Sequence, residues 1–166
     1  MALNNKLTTT AALLAASFAL GSVAYADVCD TPSKLGDMGS FPGEVITIQG
    51  SLLGTDQEML LNTVSCFEKA TGAKIQYSGS RDFAALVVAD MRSNNPPNIA
   101  IFPQPGLAAD MAAEGHLVPI GDEAAAWMKN NSGAGSSWVD LGTYADASGN
   151  DHFYGFAYKM DLKSLV

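Results

Sequence analysis

The stretch from Ile75 to Gln104 constrains this chain more than any other. Ile75-Gln76-Tyr77-Ser78 is a short β-prone run closed by Gly79, and Ser80-Arg81-Asp82 follows as a tight loop. Ser80 or Asp82 offers a side-chain oxygen to the free N–H groups of the next turn, an N-cap signal. Phe83, Leu86, Val87 and Met91 then recur at helical spacing, with Ala84, Ala85 and Ala89 between them. Pro96-Pro97 stops that helix, because neither ring nitrogen can donate. Ile99 to Phe102 is an unbroken apolar run, as expected of a parallel strand covered on both faces. Strand, helix and strand make one βαβ unit with a right-handed crossover. Ligands of such sheets bind beyond the carboxyl ends of the strands, so the loops Gly79-Ser80-Arg81-Asp82 and Pro103-Gln104-Pro105 are the places to look for a site.

A second unit precedes this one. Val45-Ile46-Thr47-Ile48 reads as a strand running into the loop Gly50-Ser51-Leu52-Leu53-Gly54. Thr55 with Glu58 has the spacing of a capping box. Leu60, Leu61, Val64 and Phe67 form the expected buried stripe of the helix, and Thr71-Gly72 closes it. The order is β-α-β-α-β without an internal repeat, which predicts an α/β fold with a mostly parallel sheet flanked by helices. Downstream, Pro105 suits the first turn of a helix whose apolar face is Leu107, Ala108, Met111 and Ala112, and Gly115 ends it. His116 to Ile120 is extended, and Asp122 caps a fourth helix through Asn130. Residues 131–137 are Gly/Ser-rich and read as a surface loop. The turn-forming run Asp146 to Asp151 leads into an aromatic strand, His152 to Lys159.

The first residues read as a targeting segment. Lys6 gives a positive start, Ala11 to Leu20 is a short apolar core, and Ala24-Tyr25-Ala26 fits a small-x-small cleavage pattern. Residues 1–26 are therefore expected to be a secretory signal peptide cut after Ala26, which places the product in the periplasm. Val28-Cys29 lacks the small residue that a lipid-modified cysteine usually needs before it. In an oxidising compartment the chain's two cysteines, Cys29 and Cys66, are expected to pair. They stand 37 positions apart, and closing such a loop stabilises a fold by roughly 3–4 kcal/mol on the chain-entropy model. The formal charge of −8 gives no grip on phosphate backbones or anionic lipid, which excludes nucleic acid as a partner.

Catalytic signatures are missing. There is no Gly-x-Ser-x-Gly elbow, no Walker loop and no His-Glu-x-x-His. His116 and His152 have no ligand-like spacing to each other or to the cysteines, so neither a metal nor a cofactor is expected, and the histidines read as loop residues with local hydrogen bonds. Recognition chemistry has more to work with. Arg81 and Asp82 set a donor fork beside an acceptor at a helix start, and a polyol or sugar needs such groups plus an aromatic face over its C–H surface. Trp127, Trp138, Phe153, Tyr154 and Tyr158 are the aromatics in question. The same features also fit a plainer role, in which Arg81 and Asp82 pair and cap and the aromatics are core.

Five segments together carry a resemblance: Val45 to Ser51, Gly79-Ser80-Arg81-Asp82-Phe83, Pro96-Pro97-Asn98-Ile99-Ala100, Gly115-His116-Leu117-Val118-Pro119, and Tyr154-Gly155-Phe156-Ala157-Tyr158-Lys159. In order and spacing they resemble the N-terminal part of an extracellular solute-binding protein of a carbohydrate ABC importer, of the α-glucoside and maltose type. The resemblance implies a type II periplasmic binding protein in which two α/β lobes close on a sugar. Residues 27–166 would then be a partial first lobe, since members of that family are much longer and the second lobe is missing here. It implies Ser51, Leu52, Ser80, Arg81, Asp82, Gln104 and Tyr154 as ligand-binding residues. It also implies no catalytic residue, a small-molecule sugar and an inner-membrane ABC permease as partners, and a monomer. Other small solutes, such as a polyamine, phosphate or a metal complex, stay open as ligands, as does a remnant without function.

Overall fold

The computed structural model describes Cys29 and residues 39–158. Its organising strand is β1 (Val45–Gly50), the middle of a three-stranded parallel sheet ordered β2-β1-β3. β2 (Lys74–Gly79) pairs with β1 along its whole length, from Val45 opposite Lys74 to Gly50 opposite Gly79. β3 (Ile99–Ile101) lies on the other side, from Ile48 opposite Ile99 to Gly50 opposite Ile101. The three strands run the same way and their registers end together, so all three carboxyl ends share one edge. The crossovers are α1 (Thr55–Thr71) and α2 (Phe83–Arg92). The expected α/β class with a parallel sheet flanked by helices is the architecture present. The signal segment 1–26 with its cleavage site, most of the lead-in before residue 39, and Lys159 lie outside the described residues.

The core sits where α2 and α3 (Pro105–Ala113) meet the β3 side of the sheet. Phe83, Val87, Met91 and Met111 are buried together, with Val88, Ala100, Phe102, Leu107 and Leu117 packed around them. The Phe83 and Phe102 rings meet edge to face with centroids 5.6 Å apart, a favoured aromatic geometry. Phe83, Val87 and Met91 are spaced i, i+4, i+8, so they form one narrow stripe on α2. Leu86, expected on that stripe, lies to its flank and is 44% exposed. α3 closes as the glycine predicts. Gly115 takes φ +77°, its N–H donates to the Ala112 carbonyl, and the His116 N–H donates to the Met111 carbonyl, which is a Schellman ending.

Several boundaries differ from expectation, each for a local reason. Gly54, with φ +56°, occupies the N-cap of α1, and its carbonyl accepts the Glu58 N–H at 3.0 Å. Thr55 is thereby already helical, and the Thr55/Glu58 capping box does not form. Gly121 likewise displaces Asp122 from the cap of α4 (Asp122–Asn131). α2 stops at Arg92, before the prolines, because Asn94 turns to φ +60° and the Asn95 N–H reaches back to the Asp90 carbonyl. β3 is a short edge strand rather than a run covered on both faces, and Ile99 is 47% exposed. Along α1, Leu60, Val64 and Phe67 are only half-buried, Leu61 is exposed, and Thr71 is the buried residue.

The end of the described chain forms a separate two-stranded antiparallel sheet. β4 (Thr143–Ala145) pairs with β5 (Asp151–Phe153) around the Asp146–Asn150 turn. α5 (Ser136–Asp140) fills part of the stretch expected to be loop. The aromatic strand is shorter than expected: β5 ends at Phe153, the Tyr154 N–H adds one more ladder bond to the Gly142 carbonyl at 2.8 Å, and β4 offers no partner for residues 155–158. Cys29 and Cys66 are joined as a disulfide with Cα atoms 5.1 Å apart, tying the lead-in to α1. Truncating a buried core side chain should separate core from flank. Met111→Ala is expected to lower unfolding free energy by about 2–5 kcal/mol. Leu86→Ala should stay within about 0.5–1 kcal/mol. Urea unfolding followed by circular dichroism checks both.

Candidate functional site

The loops after β1, β2 and β3 leave the same edge of the sheet, and the first two are bonded to each other. The Ser80 N–H donates to the Gly50 carbonyl at 3.0 Å, which extends the β1–β2 ladder one step beyond the strands. The Tyr77 hydroxyl donates to the Leu52 carbonyl at 2.9 Å and holds the β1 loop against β2. This close approach needs glycine on both strands. A Cβ at Gly79 would lie 2.6 Å from the Leu52 carbonyl oxygen and 3.0 Å from the Tyr77 ring. A Cβ at Gly50 would lie 2.9 Å from the Tyr77 hydroxyl and 3.1 Å from Ile101 Cβ. Sequence reasoning passed over Tyr77. Its signal was a tyrosine two residues before a strand-ending glycine whose partner strand ends in glycine too.

Ser51, Leu52 and Ser80 are half-buried at this edge, whereas Arg81, Asp82 and Gln104 are exposed. Ser80 Oγ accepts the Asp82 N–H at 3.0 Å, and the Asp82 carbonyl accepts the Ala85 and Leu86 N–H groups at 3.0 and 3.1 Å. Asp82 stands at the N-cap of α2, yet its carboxylate makes no capping bond. Among the described residues no ion pair joins Arg81 to Asp82, so a donor fork and a carboxylate stand side by side, both accessible. Gln104 is the extended residue just before α3, again without a side-chain cap. It leaves the third strand at the same edge.

Tyr154 directly follows β5, beside the small antiparallel sheet. Its ring stacks on Tyr144 at 6.4 Å and meets His152 edge-on at 6.2 Å. Of the other aromatics, Phe153 is buried, Trp138 is half-buried, and Trp127 is 61% exposed with its ring edge-on to Phe156 at 6.1 Å. Tyr158 is exposed and lies within electrostatic reach of Tyr77, opposing ionisation of that phenol. Burial is the larger cause of the rise in Tyr77's pKa, and Tyr158 adds to it. Tyr77 therefore keeps its proton, and its donor role, throughout the neutral range.

The two histidines each face a carboxylate. His152 Nε2 is 3.3 Å from Asp146 Oδ2, and His116 Nε2 is 3.4 Å from Glu114 Oε2. Glu114 also takes a fork from Arg92, which holds its carboxyl below the usual range. Among the described residues no three His, Cys, Asp or Glu side chains gather to hold a metal ion. No helix there is long and apolar enough to cross a membrane. Asp146 organises the β4–β5 turn by accepting the Ser148 and Asn150 N–H groups at 2.8 and 2.9 Å. Those bonds, the Asn150 one above all, pull its carboxyl below the usual aspartate range. A carboxyl depressed in the folded state stabilises the turn above its unfolded pKa, and that contribution is lost as pH falls through the folded value. The Ser148 and Asn150 amide resonances should therefore titrate together with a midpoint below that of a free aspartate. In Asp146→Ala this acid transition should vanish and the turn amides should exchange faster.

No family model matches the chain. Two curated relatives do. The alpha-glucosides-binding periplasmic protein AglE of Rhizobium meliloti (strain 1021) is 44% identical over 124 residues, covering 75% of this chain and 27% of the relative. The osmoprotective compounds-binding protein GgtB of Synechocystis sp. is 35% identical over 138 residues, covering 83% of this chain and 31% of the relative. The chain thus spans about a third or less of the length of these relatives. Both relatives are solute-binding proteins of ABC importers.

Proposed function

We propose that this chain, which belongs with the solute-binding proteins of ABC importers over the stretch it shares with them, supplies ligand loops from the first lobe of a periplasmic carbohydrate binder. The ligand is a neutral polyhydroxylated solute, with an α-glucoside as the leading choice. The observation that carries this reading is the arrangement at the carboxyl edge of the parallel sheet. Three loops leave one edge, and Arg81 and Asp82 present an exposed donor fork and an exposed acceptor there. Sugar hydroxyls donate and accept at once, so adjacent groups of both kinds suit them. Ser51, the Leu52 backbone, Ser80 and Gln104 add further polar contacts from the same edge. The chemistry is capture, not catalysis, and the solute would pass to an inner-membrane permease. Residues 1–26 would direct export, residues 27–166 would form part of the first lobe, and the protein would act as a monomer.

A second reading, an osmoprotective compound as ligand, draws on the Synechocystis relative. The loop chemistry is compatible with any small neutral solute rich in hydroxyls. Pockets of this kind bury roughly 70–90% of their ligand, and one edge of one lobe supplies only part of that. Each missing hydrogen bond weakens binding by about 1 kcal/mol, so affinity of the 166-residue chain should be millimolar rather than micromolar. Nuclear magnetic resonance titration with maltose, trehalose, sucrose and the non-glucoside polyol sorbitol tests both readings. At least one α-glucoside should shift the Ser80, Arg81 and Asp82 amides, and Arg81→Ala should weaken that response about tenfold. A response to sorbitol alone would favour the second reading. Shifts confined to residues away from this edge, or none at all, would remove the proposed site.

A further inference from the structure

Tyr77 is absent from the set of ligand-binding residues, yet more of the site's geometry converges on it than on any of them. Its ring lies on the face of β2 that points toward the β1 loop, and its hydroxyl reaches across to the Leu52 carbonyl at 2.9 Å. The two glycines at the strand ends are shaped around it. At Gly50 the space a side chain would take is filled by the Tyr77 hydroxyl and ring, at 2.9 and 3.3 Å. At Gly79 it is filled by the Leu52 carbonyl at 2.6 Å and by the same ring at 3.0 Å. Gly50 stands opposite Gly79 in the register, and the Gly50 carbonyl takes the Ser80 N–H. A ring, two glycine slots and two hydrogen bonds thus form one closed arrangement between the β1 loop and the start of the β2 loop.

We propose that Tyr77 is a positioning residue that latches the Ser51–Leu53 loop beside Ser80–Asp82, and so sets the spacing at which the two loops meet a ligand. Its value as part of a binding site rests on the function proposed above; the latch itself does not. A half-buried tyrosine that only filled space would be replaceable by phenylalanine without moving either loop. A latch would not, because phenylalanine keeps the ring in its slot and removes the hydroxyl that holds the Leu52 carbonyl. The backbone carbonyl of Leu52 would then be free to swing, and the Ser80–Gly50 bond next to it would open more often.

Tyr77→Phe in the full chain tests this. Amide exchange at Ser80 should rise roughly three- to tenfold, the size expected for one lost hydrogen bond. The Leu52 carbonyl carbon resonance should move. Exchange of core amides in α2 and α3 should stay unchanged, which a general loss of packing would not allow. Gly79→Ala approaches the latch from the other side and is decisive if Tyr77→Phe does not fold. Its Cβ displaces the Leu52 carbonyl, so the same loop resonances should shift while Tyr77 keeps its hydroxyl. Unchanged loop resonances and exchange in a folded variant of either kind overturn the latch. Sugar titration separates the latch from the ligand reading. If maltose, trehalose and sucrose leave the parent chain's loops untouched while Tyr77→Phe still loosens them, the latch stands and the carbohydrate assignment falls. If the parent responds, Tyr77→Phe should weaken that response three- to tenfold.

Discussion

Two glycines facing each other across adjacent parallel strands hold the rest of this structure to its geometry. Gly50 ends β1 and Gly79 ends β2, and neither has room for a methyl group. Because no side chains stand between them, the β1 loop can fall across the end of β2 and bond to Tyr77. The loop-to-loop bond from Ser80 to Gly50 follows from the same approach. A larger residue at either position would push the loops apart, and the polar groups of Ser51, Ser80, Arg81 and Asp82 would no longer share one edge. The requirement is steric: at each glycine the obstacle lies within about 3 Å of where a Cβ would sit, and at Gly79 the nearest is backbone that cannot rotate away.

The two faces of the sheet explain why the functional groups end up at its edge. Ile46 and Ile48 point to one side of β1, with Ile75 and Tyr77 beside them on β2. Thr47 and Gln49 point to the other, beside Gln76 and Ser78. Parallel sheets usually carry apolar residues on both faces because helices cover both. Here α2 covers the second face only toward β3, through Phe83, Val87 and Met91. Over β2 that face stays open, and the exposed residues Lys74, Gln76 and Ser78 are polar accordingly. The depression on that face is lined largely by polar groups, Thr47, Gln49, Gln76, Ser78 and Asp90 among them, and the polar groups at the strand ends stand accessible beside it at the carboxyl edge.

How much of this was legible in the sequence depends on which forces act locally. The parallel β-α-β-α-β order was readable because each element carries its own period and its own punctuation. Phe83, Val87 and Met91 are a helical stripe in any context, and Gly72 and Gly115 end helices for reasons internal to the chain. Leu86 and Leu61 were misplaced because periodicity shows that a residue is apolar but not how wide a face the neighbours cover. The helix starts were misread because a positive-φ glycine at Gly54 or Gly121 can hold the cap position as well as a side-chain oxygen can. β4 and α5 are three and five residues long, too short to show a period. Resemblance and strand order, not any local period, point to the candidate site residues. Tyr77 escaped because its importance arises only when two strands are set side by side in register.

That register has its own anchor, and it links the polar face to the third loop. β3 is three residues long and makes few ladder bonds of its own, so backbone pairing alone fixes it weakly. Asn98 supplies the remainder. Its Oδ1 accepts both the Thr47 N–H at 2.8 Å and the Thr47 hydroxyl at 2.9 Å, and its own N–H donates to Thr47 Oγ1 at 2.9 Å. One step along, Gln49 donates to Asp90 of α2 at 3.0 Å, which ties the crossover helix to the same strand. The Gln49 Oε1 atom is left buried without a partner among the described residues, a cost that a hydrophobic residue would not carry. What the polar pair gives in return is placement. A slip of one residue would turn Ala100 and Phe102 out of the core and bring Ile99 and Ile101 in, and it would shift Gln104 by a full residue relative to Ser80. Thr47 and Gln49 therefore position the loop after β3 much as Gly50 and Gly79 position the loops after β1 and β2, with side-chain bonds where the glycines use empty space.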